Sequence, residues 1–187
     1  MVAAIVRQEP ERSGEWSASP PDAQTIGRAW QALAGVPDPE IPIVSIVELG
    51  IVRAVRVEDG RPVVEVTPTY SGCPATETIM SDIRDALAEC GIANARVKTR
   101  LAPAWTTDRI APEAKRRLRE FGIAPPHVVA PRIDVTGISP LRRMVAVACP
   151  RCASTRTRLV SQFGSTACKA HYRCDECLEP FDYFKSF

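Results

Sequence analysis

Two hydrophobic periods divide the chain. Ile26, Trp30 and Leu33 recur at i, i+4 and i+7, the spacing of a single helix face. Ser19 offers a cap and Pro20-Pro21 suit a first turn, so a helix is predicted up to Gly35. Pro37, Pro39 and Pro42 then exclude helix and mark a rigid acidic loop. Residues 51–58 and 63–67 read as strands, joined at Asp59-Gly60 by a hairpin turn. Helical spacing returns at Ile79, Ile83, Leu87 and Cys90, predicting a helix from Pro74 to about Cys90 with Gly91 as its stop. Ala95, Val97, Thr99 and Leu101 alternate as a third strand. A last helix starts near Pro112, with Ala114, Leu118 and Phe121 inward and Gly122 closing it.

The fold class expected is therefore α/β (α+β): an α-β-β-α-β-α sandwich over residues 19–124. The non-periodic residues 1–18 are expected to be disordered. Pro125-Pro126 and Pro131 open a linker over 125–140, and a β-rich unit occupies 141–187.

That terminal unit carries the clearest chemistry. Cys149-Pro-Arg-Cys152 is followed, after 21 intervening residues, by Cys174-Asp-Glu-Cys177. Two such pairs place four thiolates tetrahedrally about one metal ion, most often zinc. So short a segment cannot fold on apolar burial alone, and the metal supplies about 10–16 kcal/mol toward its folding. With cysteine at all four positions, the site is closed and structural. Rubredoxin-type iron uses the same donor set, so zinc and iron both remain open.

Charge and composition exclude more than they assign. The net charge is +2, with 15 basic and 17 acidic side chains in residues 1–124 and 9 and 5 in residues 125–187. Neither part has the basic excess of a nucleic-acid binder or an anionic-membrane ligand. No apolar run reaches membrane-spanning length. Seven cysteines, four at metal spacing, fit a reducing compartment, and a cytoplasmic protein is expected.

A second candidate lies in Thr67-Pro-Thr69-Tyr-Ser-Gly72-Cys73-Pro74. With Pro74 at the first helical position, Cys73 would sit at the helix cap, where unpaired N–H groups and the dipole favour a thiolate. The alternative is a small apolar residue filling a loop. The two histidines, His127 and His171, lie in the linker and the ribbon, which disfavours a Cys–His nucleophile.

Asp38-Pro39-Glu40-Ile41-Pro42, Val47-Glu48-Leu49-Gly50-Ile51-Val52, the Cys73 loop and Ala102-Pro103-Ala104-Trp105 together resemble the metal–sulfur cluster assembly domain of iron–sulfur maturation proteins. The segments 163–170 and 179–185 resemble the C-terminus of PaaD-like accessory proteins of multicomponent phenylacetyl-CoA epoxidases. The resemblance implies a non-enzymatic factor that assists maturation of the oxygenase system's iron–sulfur or di-iron centre. It implies a pocket of Asp38, Thr67, Thr69 and Cys73, with Cys73 a transient ligand for iron or an iron–sulfur cluster. It also implies oxygenase or reductase subunits as partners, and it admits a homodimer. A non-catalytic subunit that stabilises the oxygenase complex is the alternative. Ser71 and Ser186 depart from the pattern, standing where relatives often carry proline and cysteine.

Other residues carry weaker expectations. Cys90 reads as core. Cys168 is either a fifth candidate for the ribbon metal or a free thiol beside it, and His171 is a candidate ligand. Asp38 and Glu40 can equally stabilise a turn. The run Lys115-Arg116-Arg117-x-Arg119 reads as a solvated or docking face. Six of the eleven aromatic residues (Phe163, Tyr172, Phe181, Tyr183, Phe184 and Phe187) fall in the ribbon, a density that suggests a protein-binding patch.

Overall fold

The computed structural model describes residues 20–126 and 147–186. The expectations for residues 1–18 and for most of the 125–140 linker lie outside the described residues, as do Ser19, His127 and Phe187. Helix α1 is Pro20–Ala34, followed by β1 (Val52–Glu58), β2 (Arg61–Val66), α2 (Thr76–Glu89), β3 (Arg96–Thr99) and α3 (Pro112–Phe121). The predicted order α-β-β-α-β-α is the order found. β1 and β2 pair antiparallel through Asp59 and Gly60, both at positive φ, as the tight turn of a right-twisted hairpin requires. β2 and β3 pair parallel, so α2 is the crossover that parallel strands need.

Helices α1 and α2 bury one face of this sheet. Ala29 and Leu33 meet Ile79, Ile83 and Leu87 over Val52, Val55, Val64 and Val66. The predicted faces are correct, with Cys90 packed at their edge and half-buried. Phe121 corrects the reading of α3: Ala114 and Leu118 are buried, but Phe121 is 62% exposed, because α3 ends there and the chain turns away at Gly122 (φ 93°).

Residues 36–51 are more than an acidic loop. They bury Ile41, Val44, Ile46, Leu49 and Ile51, and no helical or strand period announces this. Ser45 and Glu48 close the segment reciprocally: Ser45 N donates to Glu48 Oε2 at 2.9 Å and Glu48 N donates to Ser45 Oγ at 3.2 Å, a capping box. Gly50 (φ 68°) turns the chain where a Cβ would stand 2.5 Å from that of Arg109, so the approach of the two segments requires glycine there. Glu48 also pairs with Arg117 of α3, and Arg116 pairs with Glu113 and Glu120. Two members of the basic run thus already have carboxylate partners within the chain, Arg116 on the exposed face of its own helix.

The second sheet has the order β4-β7-β6-β5, with β4 Ile123–Ala124, β5 Thr157–Ser161, β6 Lys169–Cys174 and β7 Pro180–Phe184. Residues 123–124, expected to end the first unit, instead pair parallel with Asp182 and Tyr183. The ribbon is therefore stitched to the tail of α3. Its aromatic residues are largely spent on packing, which corrects the patch expectation. Phe181 and Phe184 are buried, and Tyr172 packs on Phe181 and Tyr183 at 5.9 and 5.7 Å between ring centroids. Phe163 is 67% exposed, with Lys185 Nζ 4.7 Å from its ring centroid. Phe184 belongs to the first unit's core, 6.0 Å from the ring of Trp105.

Two outcomes follow. Phe184→Ala should cost about 3–5 kcal/mol in urea unfolding and loosen both units in a single transition. The Arg117 hydrogen bond holds the Glu48 carboxyl below the usual range. Its stabilisation is therefore complete above the ordinary carboxylate pKa and lost as pH falls through the lowered folded value. Glu48→Gln should cost about 1 kcal/mol at pH 7, at the low end because the pair is partly exposed. The gap to the parent should narrow below about pH 4.5.

Candidate metal and thiol sites

The four ribbon cysteines come together as their spacing predicts. Each pair forms a similar knuckle: Cys149 N donates to Ser154 O and Cys174 N to Glu179 O, at 2.9 and 3.0 Å. The residue after each pair, Ala153 or Leu178, takes a positive φ of 60° or 64°. Neither is glycine, and holding both there costs about 1–2 kcal/mol each, a strain the surrounding site must offset. All four sulfurs lie within 4.8 Å of one another. The Cys149–Cys177 and Cys152–Cys174 separations are 3.7 and 3.6 Å. A tetrahedron with metal–sulfur bonds of about 2.3 Å has edges of about 3.8 Å, so the donor set fits zinc in type, number and size. Cys149 and Cys174 are buried and Cys152 faces solvent.

Neither extra candidate joins this site. His171 Nδ1 lies 3.4 Å from Asp182 Oδ1, and Cys168 is turned the other way. Its sulfur lies 3.0 Å from Thr166 Oγ1 and 3.2 Å from Glu40 Oε2, in the first unit. Burial pushes the Cys168 thiol up to about 12.

The Cys73 loop departs from expectation in one respect. Helix α2 begins at Thr76, with Ala75 as its cap residue, so Cys73 precedes the helix by a turn. Cys73 N donates to Tyr70 O, and Cys73 O accepts from Thr76 N and from Thr76 Oγ1 at 2.8 Å. The sulfur is half-buried, and its pKa is raised rather than lowered. Burial is the main cause, and the nearby charges of Glu40 and Asp38 add to it. A neutral thiol beside carboxylates is a poor nucleophile at neutral pH and a good ligand for a cation that displaces its proton.

Asp38 is buried, and its Oδ1 accepts from Glu40 N and Ile41 N at 2.9 and 2.8 Å. It thus shapes the loop, as the turn reading anticipated, and it also lies within electrostatic reach of Cys73. Burial raises its own pKa. Thr67 and Thr69 are buried too. Thr67 Oγ1 accepts a long 3.4 Å bond from Arg53 Nη1. Among the described residues no hydrogen bond joins either threonine to the Cys73 sulfur. The residues that do gather around Cys73 include Glu40, read from sequence only as a turn residue, and Tyr70. The acidic Asp-Pro-Glu motif was the signal available for Glu40.

Comparison with known proteins finds two families along the chain. Residues 28–98 match the family described as iron-sulfur cluster assembly protein, and residues 136–185 match the PaaD zinc beta ribbon domain. The chain is 50% identical over 167 residues to a putative 1,2-phenylacetyl-CoA epoxidase subunit of Escherichia coli (strain K12), covering 89% of this chain and 94% of that protein. It is 34% identical over 88 residues, 46% of this chain and 83% of the relative, to an Fe-S protein maturation auxiliary factor of Porphyromonas gingivalis. A crystal structure from Bacillus anthracis, of the domain of unknown function DUF59, aligns with a TM-score of 0.49 at 30% identity, covering 52% of this chain and 94% of that one.

Because Phe184 seals Trp105, stripping the ribbon metal should be felt outside the ribbon. Prolonged chelation should red-shift tryptophan emission in the parent protein and leave Trp105→Phe nearly unshifted. An emission spectrum recorded before and after chelation checks this.

Proposed function

The chain belongs to the PaaD family of 1,2-phenylacetyl-CoA epoxidase proteins, and from that membership we propose a non-catalytic accessory factor in phenylacetate degradation. In this reading it assists maturation of an iron–sulfur or di-iron centre in the epoxidase system. The observation that carries the reading is the half-buried Cys73 thiol, held by a tight loop beside Asp38 and Glu40 within a unit that matches iron–sulfur assembly proteins.

The division of labour follows from the chemistry of the two sites. The closed Cys149–Cys152–Cys174–Cys177 set would hold zinc permanently. Its part is to fix the ribbon's fold, since four thiolates leave no position for a substrate. Cys73 is different in kind: a single accessible thiol whose proton a soft cation can replace. Iron or an iron–sulfur unit is its cargo, held while the remaining ligands come from the cargo's own sulfides or from the donor. Asp38 braces the 38–41 turn that carries Glu40, and Thr67 and Thr69 are buried in the segment that leads to Cys73. The client is the oxygenase or reductase component that needs the centre. Among the described residues no helix is long and apolar enough to cross a membrane.

Protein purified without oxygen, as parent and as Cys73→Ser, decides between this reading and a purely structural role in the complex. One zinc per chain is expected in both, with iron and sulfide in the parent alone and an epoxidase left immature by the variant. A fully active epoxidase matured by Cys73→Ser, with stable fixed-ratio co-purification, would overturn the carrier role in favour of the structural one.

A further inference from the structure

Cys168 has no partner in the ribbon's metal site, yet it is only 4% exposed and counts among the core residues of the other unit. It sits in the turn before β6. Its sulfur lies 3.2 Å from Glu40 Oε2, across a sequence separation of 128 residues, and Lys169 Nζ reaches the Glu40 carbonyl at 3.5 Å. The segment that begins with Asp38 therefore has the ribbon's turn closed against it. Tyr70, of the Cys73 loop, packs with Cys73 on the same core that contains Cys168. Its phenol lies in the field of all three groups, Cys73, Glu40 and Cys168. Lys169 is the cation on this side, and its Nζ is also 3.9 Å from Asp182 Oδ2.

We propose that Cys73, Glu40 and Cys168 form one composite site for a thiophilic iron unit, to which the ribbon contributes a thiol that is not one of its four zinc ligands. The proposal deepens the reading of Cys73 as a cargo ligand and rests on it. Two thiols and a carboxylate are a donor set that takes ferrous iron or an iron–sulfur unit, soft sulfur supplying affinity and the carboxylate a labile oxygen. The composite group is more open than the zinc site. Among the described residues the four ribbon cysteines are the one group of three or more ligating side chains whose donor atoms already converge, all within 4.8 Å of one another. The cargo must therefore draw Cys73, Glu40 and Cys168 together and complete its own coordination. That openness suits a ligand set that has to let go. It also gives the ribbon a reason to be fused to this domain: the fusion brings in a second thiol beside Glu40.

The test uses full-length, zinc-loaded protein without oxygen, titrated with Co²⁺, which zinc outcompetes at the ribbon. Thiolate-to-cobalt charge-transfer absorption reports the sulfur ligands, and zinc content with thermal melting reports folding. The parent is expected to take up one further cobalt. Cys73→Ser and Cys168→Ser should each lose about half the charge-transfer intensity and at least about tenfold in affinity, and Glu40→Gln about tenfold, with one zinc retained throughout. Loss in Cys73→Ser alone, with Cys168→Ser and Glu40→Gln binding as the parent does, overturns the composite site and leaves the single-thiol carrier standing. No cobalt uptake by the parent, or uptake that is the same in all three variants, overturns both. Should Cys168→Ser fail to fold, unchanged binding by Glu40→Gln is enough to reject the proposal.

Discussion

Phe184 is 1% exposed and lies against Trp105. The rest of the architecture depends on this packing, because it makes one core out of two sequence units. Trp105 is itself fixed by a 2.8 Å bond from Nε1 to Leu49 O, so the ribbon's last strand presses on the segment that carries Gly50, Glu48 and, further back, Asp38. Full burial of a ring this size contributes about 1.5–3 kcal/mol. Here it also decides where the turn bearing Cys168 comes to rest.

Metal and hydrophobic burial are thus coupled in the ribbon. Four thiolates fix two knuckles whose strained residues Ala153 and Leu178 would not hold left-handed conformations unaided. The knuckles in turn set the register of β6 and β7, and that register delivers Phe184 to Trp105. β4 adds a second tether by pairing the tail of α3 with β7. The four-cysteine group thus bears on where Phe184 and the Cys168 turn come to rest, through the ribbon's geometry alone.

The electrostatics around Cys73 fit a ligand better than a nucleophile. A helix cap would lower its pKa, but the helix starts three residues later and two carboxylates stand nearby. Cys73 and Cys168 both stay protonated until a cation arrives. Capture of a metal by either thiol would then be a proton-for-metal exchange.

The sequence alone determined whatever depends on local period and spacing. Helices α1, α2 and α3, the Asp59-Gly60 hairpin and the four-sulfur site follow from residues close in the chain or from two short repeats of one motif. Their physics is local: a backbone period of 3.6 or 2, and a tetrahedron two knuckles can supply. Tertiary structure decided what depends on distant partners. It set the burial of Ile41 through Ile51, the transfer of residues 123–124 to the ribbon sheet and the exposure of Phe121. It also took Phe181 and Phe184 out of the expected surface patch. Above all it decided the meaning of Cys168, which spacing left beside the zinc. Its partner is Glu40, 128 residues away, and no pattern along the chain encodes a contact between surfaces contributed by segments so far apart in sequence.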